Sequence, residues 1–274
     1  MGTEHIAILV ATGLVVGFAA GLLGLGGAFF LTPVQYFVFT SMGLSSEIAI
    51  KMAFGTTLLI ILPTAASGTW QHNKKKAIQW RAALTMGSFA MIGGYIGSTL
   101  AVLLPGSYLK VAFGGVALAV AIRMLIATPI DVEQAPRGNL WLWLACAFPV
   151  GIITGILGIG GGVIMIPLMV FVLRFGMHMA VANSLAMMIL TSIGGIVGYV
   201  IHGLNVPGLP AYSLGYVYLP AWLPLTITCC GMAPIGAIVS HKLPAKQLKY
   251  IFIALMFYMG LRMVGLFDFL GLPL

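Results

Sequence analysis

The chain has 274 residues, 61% of them hydrophobic and 7% charged, with a mean hydropathy of +1.10. Thirteen Lys/Arg and five Asp/Glu cannot coat a molecule of this size with polar surface, which excludes a soluble single-core domain, a disordered chain and a secreted disulfide scaffold. A polytopic membrane protein remains, and the net charge of +8 reads as the positive bias of loops on one membrane face, not as a nucleic-acid surface.

In chain order, Met1-Gly2-Thr3-Glu4-His5 lacks a basic signal-peptide start. The apolar run from Ile6 outlasts a signal peptide, so it is expected to be a retained membrane segment. Apolar runs follow at Ile6–Leu23, Ala28–Met42, Ile48–Trp70, Ala82–Leu104 and Tyr108–Ala127, then at Leu140–Leu157, Gly162–Phe175, Met179–Ile201, Leu219–Ser240 and Leu248–Phe267. Most approach the roughly 20 residues of a spanning helix and exceed barrel strands, so the expected fold is all-α and polytopic. The two short runs, from Ala28 and Gly162, each follow a glycine cluster and carry a proline five residues in, Pro33 and Pro167. Cys146, Cys229 and Cys230 lie inside apolar runs without metal-ligand or CxxC spacing and read as small packing residues.

Basic residues orient the runs. Lys74, Lys75, Lys76 and Arg81, Arg123 and Arg137, Arg174, and Lys242, Lys246 and Lys249 fall on one side if the ten runs alternate. Only Lys51, Lys110 and Arg262 fall on the other. Both termini and the uncharged loop 203–218 are then expected outside the cytoplasm.

The chain contains an internal repeat. GFAAGLLGLGGAFFLTPVQYF at Gly17–Phe37 aligns with GIITGILGIGGGVIMIPLMVF at Gly151–Phe171, with eight of 21 positions identical. Thr56-Thr57, Thr64 and Gly68 lie on Asn183-Ser184, Thr191 and Gly195, and Ile96–Met124 lies on Ile235–Met263. Each copy holds five runs, an odd number, so the second is expected to enter the membrane upside down, an architecture typical of secondary transporters. The expected organisation is a first inverted repeat over 1–128, a cytoplasmic connection over 129–139 and a second repeat over 140–274.

Ile6 to Phe39 is a single apolar stretch of 34 residues. Two spans and a turn need more than about 40. The turn at Gly24-Leu25-Gly26-Gly27, and its counterpart at Gly158-Ile159-Gly160-Gly161-Gly162, are therefore expected below the membrane surface. Such elbows expose backbone N–H groups, and the helices starting at Ala28 and Gly162 aim positive dipole ends at them. Gly24, Gly26, Gly27, Ala28, Gly158, Gly160, Gly161 and Gly162 are thus candidate anion contacts, although the same glycines also suit close packing. Gly13, Gly17 and Gly21 read as one packing ridge, and Gly151 and Gly155 as another.

Thr57, Ile61, Thr64 and Gly68 share one helix face, and Ser184, Met188, Thr191 and Gly195 repeat it. Thr56, Thr57, Asn183 and Ser184 could bond an oxyanion without charge or join helices, with Gln35, Thr64 and Thr191 as secondary candidates. Gln35 has Met169 as its counterpart. No Asp or Glu lies deep in any run, since Glu4, Glu47, Asp131, Glu133 and Asp268 sit near ends or in loops. No metal site, cofactor or catalytic motif is expected, and the chain is read as a non-enzyme. His72 and His202 read as interfacial histidines.

The duplicated GLGGAFFLTP and GIGGGVIMIP elbows resemble the signature of the TauE/SafE sulfite-exporter family. So do Ser213–Pro220 and the segments Leu243–Leu248 and Gly260–Met263. The resemblance covers nearly the whole chain and implies a multi-pass anion transporter of the bacterial inner membrane, exporting sulfite, an organosulfonate or a related sulfur oxyanion. Another small organic anion, or a membrane sensor or assembly subunit without flux, are the alternatives. The expected partners are a small anionic substrate and the lipid bilayer, with no nucleic acid and with room for a homo-oligomer.

Overall fold

A computed structural model describes residues 2–23, 27–74, 76–126, 139–239 and 245–266. The helices are α1 (Thr3–Leu23), α2 (Ala28–Ser41), α3 (Ser46–Lys74), α4 (Trp80–Leu103), α5 (Gly106–Ile126), α6 (Leu140–Leu157), α7 (Gly162–Phe171), α8 (Met177–Gly203), α9 (Leu219–Val239) and α10 (Ala245–Val264). Six of them are long and apolar enough to cross a membrane by length and composition. A bilayer satisfies no backbone polar group, so a helix, which bonds its own, is what long apolar runs form. The expected all-α polytopic fold is thus present, and the chain is a multi-pass membrane protein.

Helix bounds depart from the runs in informative ways. Helix α1 starts at Thr3 rather than Ile6 and has 21 residues, so it keeps a full span. The shortage of apolar length falls on α2, with 14 residues. Helix α7 stops at Phe171, four residues before the end of its run, and Leu173 and Phe175 pack as buried side chains beyond it.

Helices α3 and α8 form the interior pair: 72% and 61% of their apolar windows are buried, against 22% for α1 and 28% for α5. Outward faces carry exposed Trp141, Leu103, Ile126 and Tyr108, as lipid contact requires. Close approaches set helix directions. Gly55 meets Tyr199 and Gly68 meets Leu185, so α3 and α8 are antiparallel. Gly13 packs on Thr228 and Gly17 on Cys229, which makes α1 and α9 parallel. Gly151 packs on Ala90 and Gly155 on Gly94, so α6 and α4 are parallel too. The first helix of each half thus packs on the fourth helix of the other. Gly13 and Gly17 of one ridge, and Gly151 and Gly155 of the other, lie at these two seams, where the absence of a side chain lets backbones meet.

One element was not foreseen. Ser213–Leu214 and Val217–Tyr218 form a two-stranded antiparallel hairpin, β1 and β2. Its two-residue turn uses Gly215 at φ +57°, the left-handed conformation that tight hairpins require. Strands of two residues leave no readable period in a sequence.

Candidate functional site

A cavity of ≈ 110 Å³ lies between α1, α2, α3, α8 and α9. It offers room for several waters or one small anion. Its walls are Val16, Gly17 and Ala20 of α1, Leu31 of α2, Thr64 to His72 of α3, Leu185 and Met188 of α8, and Cys229, Ala233 and Pro234 of α9. Along α3 the exposure rises from buried Ala65 to exposed Gln71, so the cavity opens at the C-terminal end of that helix.

The inner end is closed by Leu31, which is 1% exposed, and by Met188. One helical turn further, about 6 Å, α2 and α3 bring together three fully buried polar side chains, Thr32, Gln35 and Thr57. Thr32 Oγ1 donates to Thr57 Oγ1 at 3.2 Å, and Gln35 Nε2 donates to the same oxygen at 2.8 Å. Another turn on, Phe39 packs edge-on against Tyr218 of the hairpin, with ring centroids 5.6 Å apart. The cluster is therefore enclosed between a Leu31 layer on the cavity side and an aromatic layer on the hairpin side.

The hairpin is anchored into this region. Tyr218 N donates to Thr56 Oγ1 at 2.9 Å, and Tyr216 N donates to Tyr199 O at 3.2 Å. Val217 is fully buried. Burial raises the phenol pKa of Tyr216, with a further contribution from the Glu47 carboxylate, and burial also raises that of Tyr218.

The other sequence candidates separate. Asn183 does not face an elbow. Its Oδ1 accepts from Gln79 N at 3.0 Å and its Nδ2 donates to Met179 O, so it anchors the start of α4. Ser184 Oγ donates to Val181 O, Thr191 to Met187 O, and Thr64 to Ile60 and Ile61 carbonyls, all within their own helices. Thr64 also lines the cavity. Thr32 was missed by sequence reasoning, although its three-residue spacing from Gln35 places both on one face of α2.

The elbows differ as well. Gly24 and Gly26 lie outside the described residues. Gly27 caps α2 in the left-handed conformation and packs against Val16 and Ala20, beside Ala28. At the second elbow Gly158, Gly160 and Gly161 have φ of +63°, +76° and +100°, a run that residues with a Cβ rarely adopt. Gly158 packs on Phe54, Gly160 on Ile61 and Met188, and Gly162 on Met188 Sδ. The second elbow is thus covered by side chains, and Met188 stands between it and the cavity. Neither α2 nor α7 has a side-chain cap.

Among the described residues, charged groups lie towards helix ends and in loops. Lys51 is 3% exposed, and its Nζ donates to Glu47 Oε1 and to Val102 O, both at 2.8 Å, which ties α3 to α4. Among the described residues no Asp or Glu is buried and no group of His, Cys, Asp or Glu could hold a metal ion. Asp131, Glu133 and Asp268 lie outside the described residues.

A family model, sulfite exporter TauE/SafE, matches residues 9–263. A "probable membrane transporter protein" of Methanocaldococcus jannaschii is 30% identical over 258 residues, covering 94% of both chains. A "probable membrane transporter protein" of Bacillus subtilis, YunE, is 28% identical over 282 residues, 95% of this chain and 98% of the relative. One from Haemophilus influenzae is 25% identical over 260 residues, 94% and 97%. No solved structure matches the chain. Span-length helices, a central closed polar cluster, and this match over nearly the whole length lead to one conclusion: the chain belongs to the TauE/SafE sulfite-exporter family of membrane transporters.

Proposed function

We propose that the protein is a secondary carrier that exports a small sulfur-containing oxyanion, sulfite or an organosulfonate, across the cell inner membrane. The observation that carries the reading is the path between α2 and α3. A cavity open at one end leads towards a buried cluster of uncharged hydroxyl and amide groups. Hydroxyl and amide donors at depth favour a desolvated anion, while a cation carrier places carboxylates there. The helix start at Ala28, three residues before cavity-lining Leu31, adds a positive dipole end.

Two near-equivalent halves supply the means of alternating access. The exchanged packing of α1 on α9 and α6 on α4, and the antiparallel α3 and α8, support an inverted repeat. With the basic residues placed on the cytoplasmic side, both termini are outside and the cavity opens inward. The arrangement then corresponds to a loading state, with the hairpin closing the outer side. Leu31 and Met188 are the inner barrier to the cluster.

The test is efflux from proteoliposomes loaded with sulfite, thiosulfate, a sulfonate or a carboxylate. Sulfur oxyanions should leave faster than from empty-bilayer controls and faster than the carboxylate. Equal rates for carboxylates would make the substrate class a general organic anion. No flux of any solute would overturn the carrier reading.

A further inference from the structure

The central cluster has one polar atom that the fold leaves without a partner. Gln35 Oε1 is buried and accepts no hydrogen bond, while Nε2 of the same amide donates to Thr57. An unsatisfied buried acceptor is costly, and a bound group that completes it removes that cost. Five other buried side-chain atoms share this condition among the described residues, but four are single hydroxyls and the fifth, Gln79 Oε1, belongs to the loop before α4. Gln35 alone joins two further buried hydroxyls on the line from the cavity to the hairpin.

The chemistry of the three side chains is asymmetric. Thr32, Thr57 and the Gln35 amide nitrogen can donate to anionic oxygens, whereas Gln35 Oε1 can only accept. Doubly charged sulfite would set a negative oxygen against that lone pair, whereas a sulfonate can turn its carbon substituent there. An oxyanion that keeps one acidic hydrogen would donate it there and offer its remaining oxygens to the donors. The second half lacks the device: Met169, Ile166 and Ser184 stand at the positions matching Gln35, Thr32 and Thr57, and the Ser184 hydroxyl is turned to Val181 O.

Resting on the carrier reading above, we infer that Thr32, Gln35 and Thr57 form the occluded substrate subsite, and that Gln35 Oε1 selects the singly protonated oxyanion by accepting its O–H. The proton then crosses on the substrate. Among the described residues, five ionisable groups on α2 and the elements around it have other contacts. Lys51 holds Glu47 and Val102 O, Arg262 of α10 lies over Phe37, Lys110 of α5 lies over Tyr36, Tyr36 bonds Ser46, and His5 of α1 bonds Ser41. His72 lines the cavity rim, on the far side of Leu31.

The experiment compares sulfite, which titrates near neutral pH, with methanesulfonate, which does not, in proteoliposomes across that pH range. Wild-type sulfite flux should follow the singly protonated fraction, and methanesulfonate flux should stay flat. Gln35→Met, which copies the second half, removes both the acceptor and the amide donor, so it should lower both fluxes and lower that of sulfite roughly tenfold more than that of methanesulfonate, the effect of one additional lost buried hydrogen bond. Thr32→Val, which removes a donor, should lower both. The wild-type pH profile and Thr32→Val carry the test should Gln35→Met not reach the membrane folded. Sulfite flux that follows the doubly charged form, or Gln35→Met that depresses both anions alike or neither, overturns the inference and leaves the carrier reading standing. A wild type that moves neither anion overturns both.

Discussion

Thr57 is the common acceptor for two buried donors, Thr32 Oγ1 and Gln35 Nε2. Thr57→Val keeps the shape and strands both. Each buried group left unpaired costs about 1–3 kcal/mol, so the variant should melt several degrees lower in detergent and lose anion flux. A variant as stable as wild type would show that the donors find other partners. Glycine positions separate two mechanisms under the same substitution. At Gly161 a Cβ would find ordinary contact with Thr154 at 3.6 Å, but φ is +100°. Gly161→Ala should therefore cost about 1–2 kcal/mol in backbone strain and still fold. At Gly151 the backbone is helical and the obstacle is the Ala90 carbonyl. Gly151→Ala should force α6 from α4 and sharply reduce the yield of folded protein. Equal thermal stability of the two variants would refute the close approach.

At the scale of elements, the hairpin is the least helical part of the structure and one of the best anchored. Its hold on α3 is the bond from Tyr218 N to Thr56 Oγ1, and Val217, Tyr216 and Tyr218 are buried. Thr56→Val leaves a buried N–H without an acceptor at a cost of about 1–3 kcal/mol. It should raise hydrogen exchange at Tyr218 while α4 and α6 stay protected. Unchanged exchange at Tyr218 would show that aromatic packing alone holds β2. The raised phenol pKa values of Tyr216 and Tyr218 carry a signed consequence. The neutral phenols are favoured in the fold, so their contribution is complete below the ordinary tyrosine pKa and is lost as pH rises through the raised ones. Tyrosinate absorbance should therefore appear later on alkaline titration in the folded protein than in the unfolded chain, and hairpin protection should fall with it.

At the scale of the whole molecule, access is one-sided. The cavity ends in exposed Gln71 at one end of α3, while the hairpin covers the other. With the proposed orientation, a cysteine at Ser67 should react with a thiol reagent supplied from the cytoplasmic side and be slow from outside, and Val217→Cys should resist both. Lys76→Cys should behave like Ser67→Cys in intact cells, because it sits in the basic loop that sets the orientation. External labelling of Lys76→Cys as strong as that of a cysteine at Asn205 would reverse the topology.

Helix number and the starts of α2, α6, α7 and α9 were legible in the sequence, for a physical reason. Lipid offers no partner to a backbone group, so apolar length translates directly into helix. The glycine clusters likewise marked the starts of α2 and α7 at Ala28 and Gly162, because a left-handed cap there requires the missing Cβ. The packing of the Gly13/Gly17 and Gly151/Gly155 ridges followed from the same residue property. Partners of polar side chains were not legible. Thr56 and Thr57 are neighbours, yet they point about 100° apart around α3, one to the hairpin and one to α2. Asn183 and Ser184 aligned with them in sequence, but one binds the chain before α4 and the other its own helix. A hydroxyl or amide in an apolar run carries no mark of which neighbour will face it. That is decided when helices pack, and here packing put Thr32, Gln35 and Thr57 together and left a single acceptor, Gln35 Oε1, open between them.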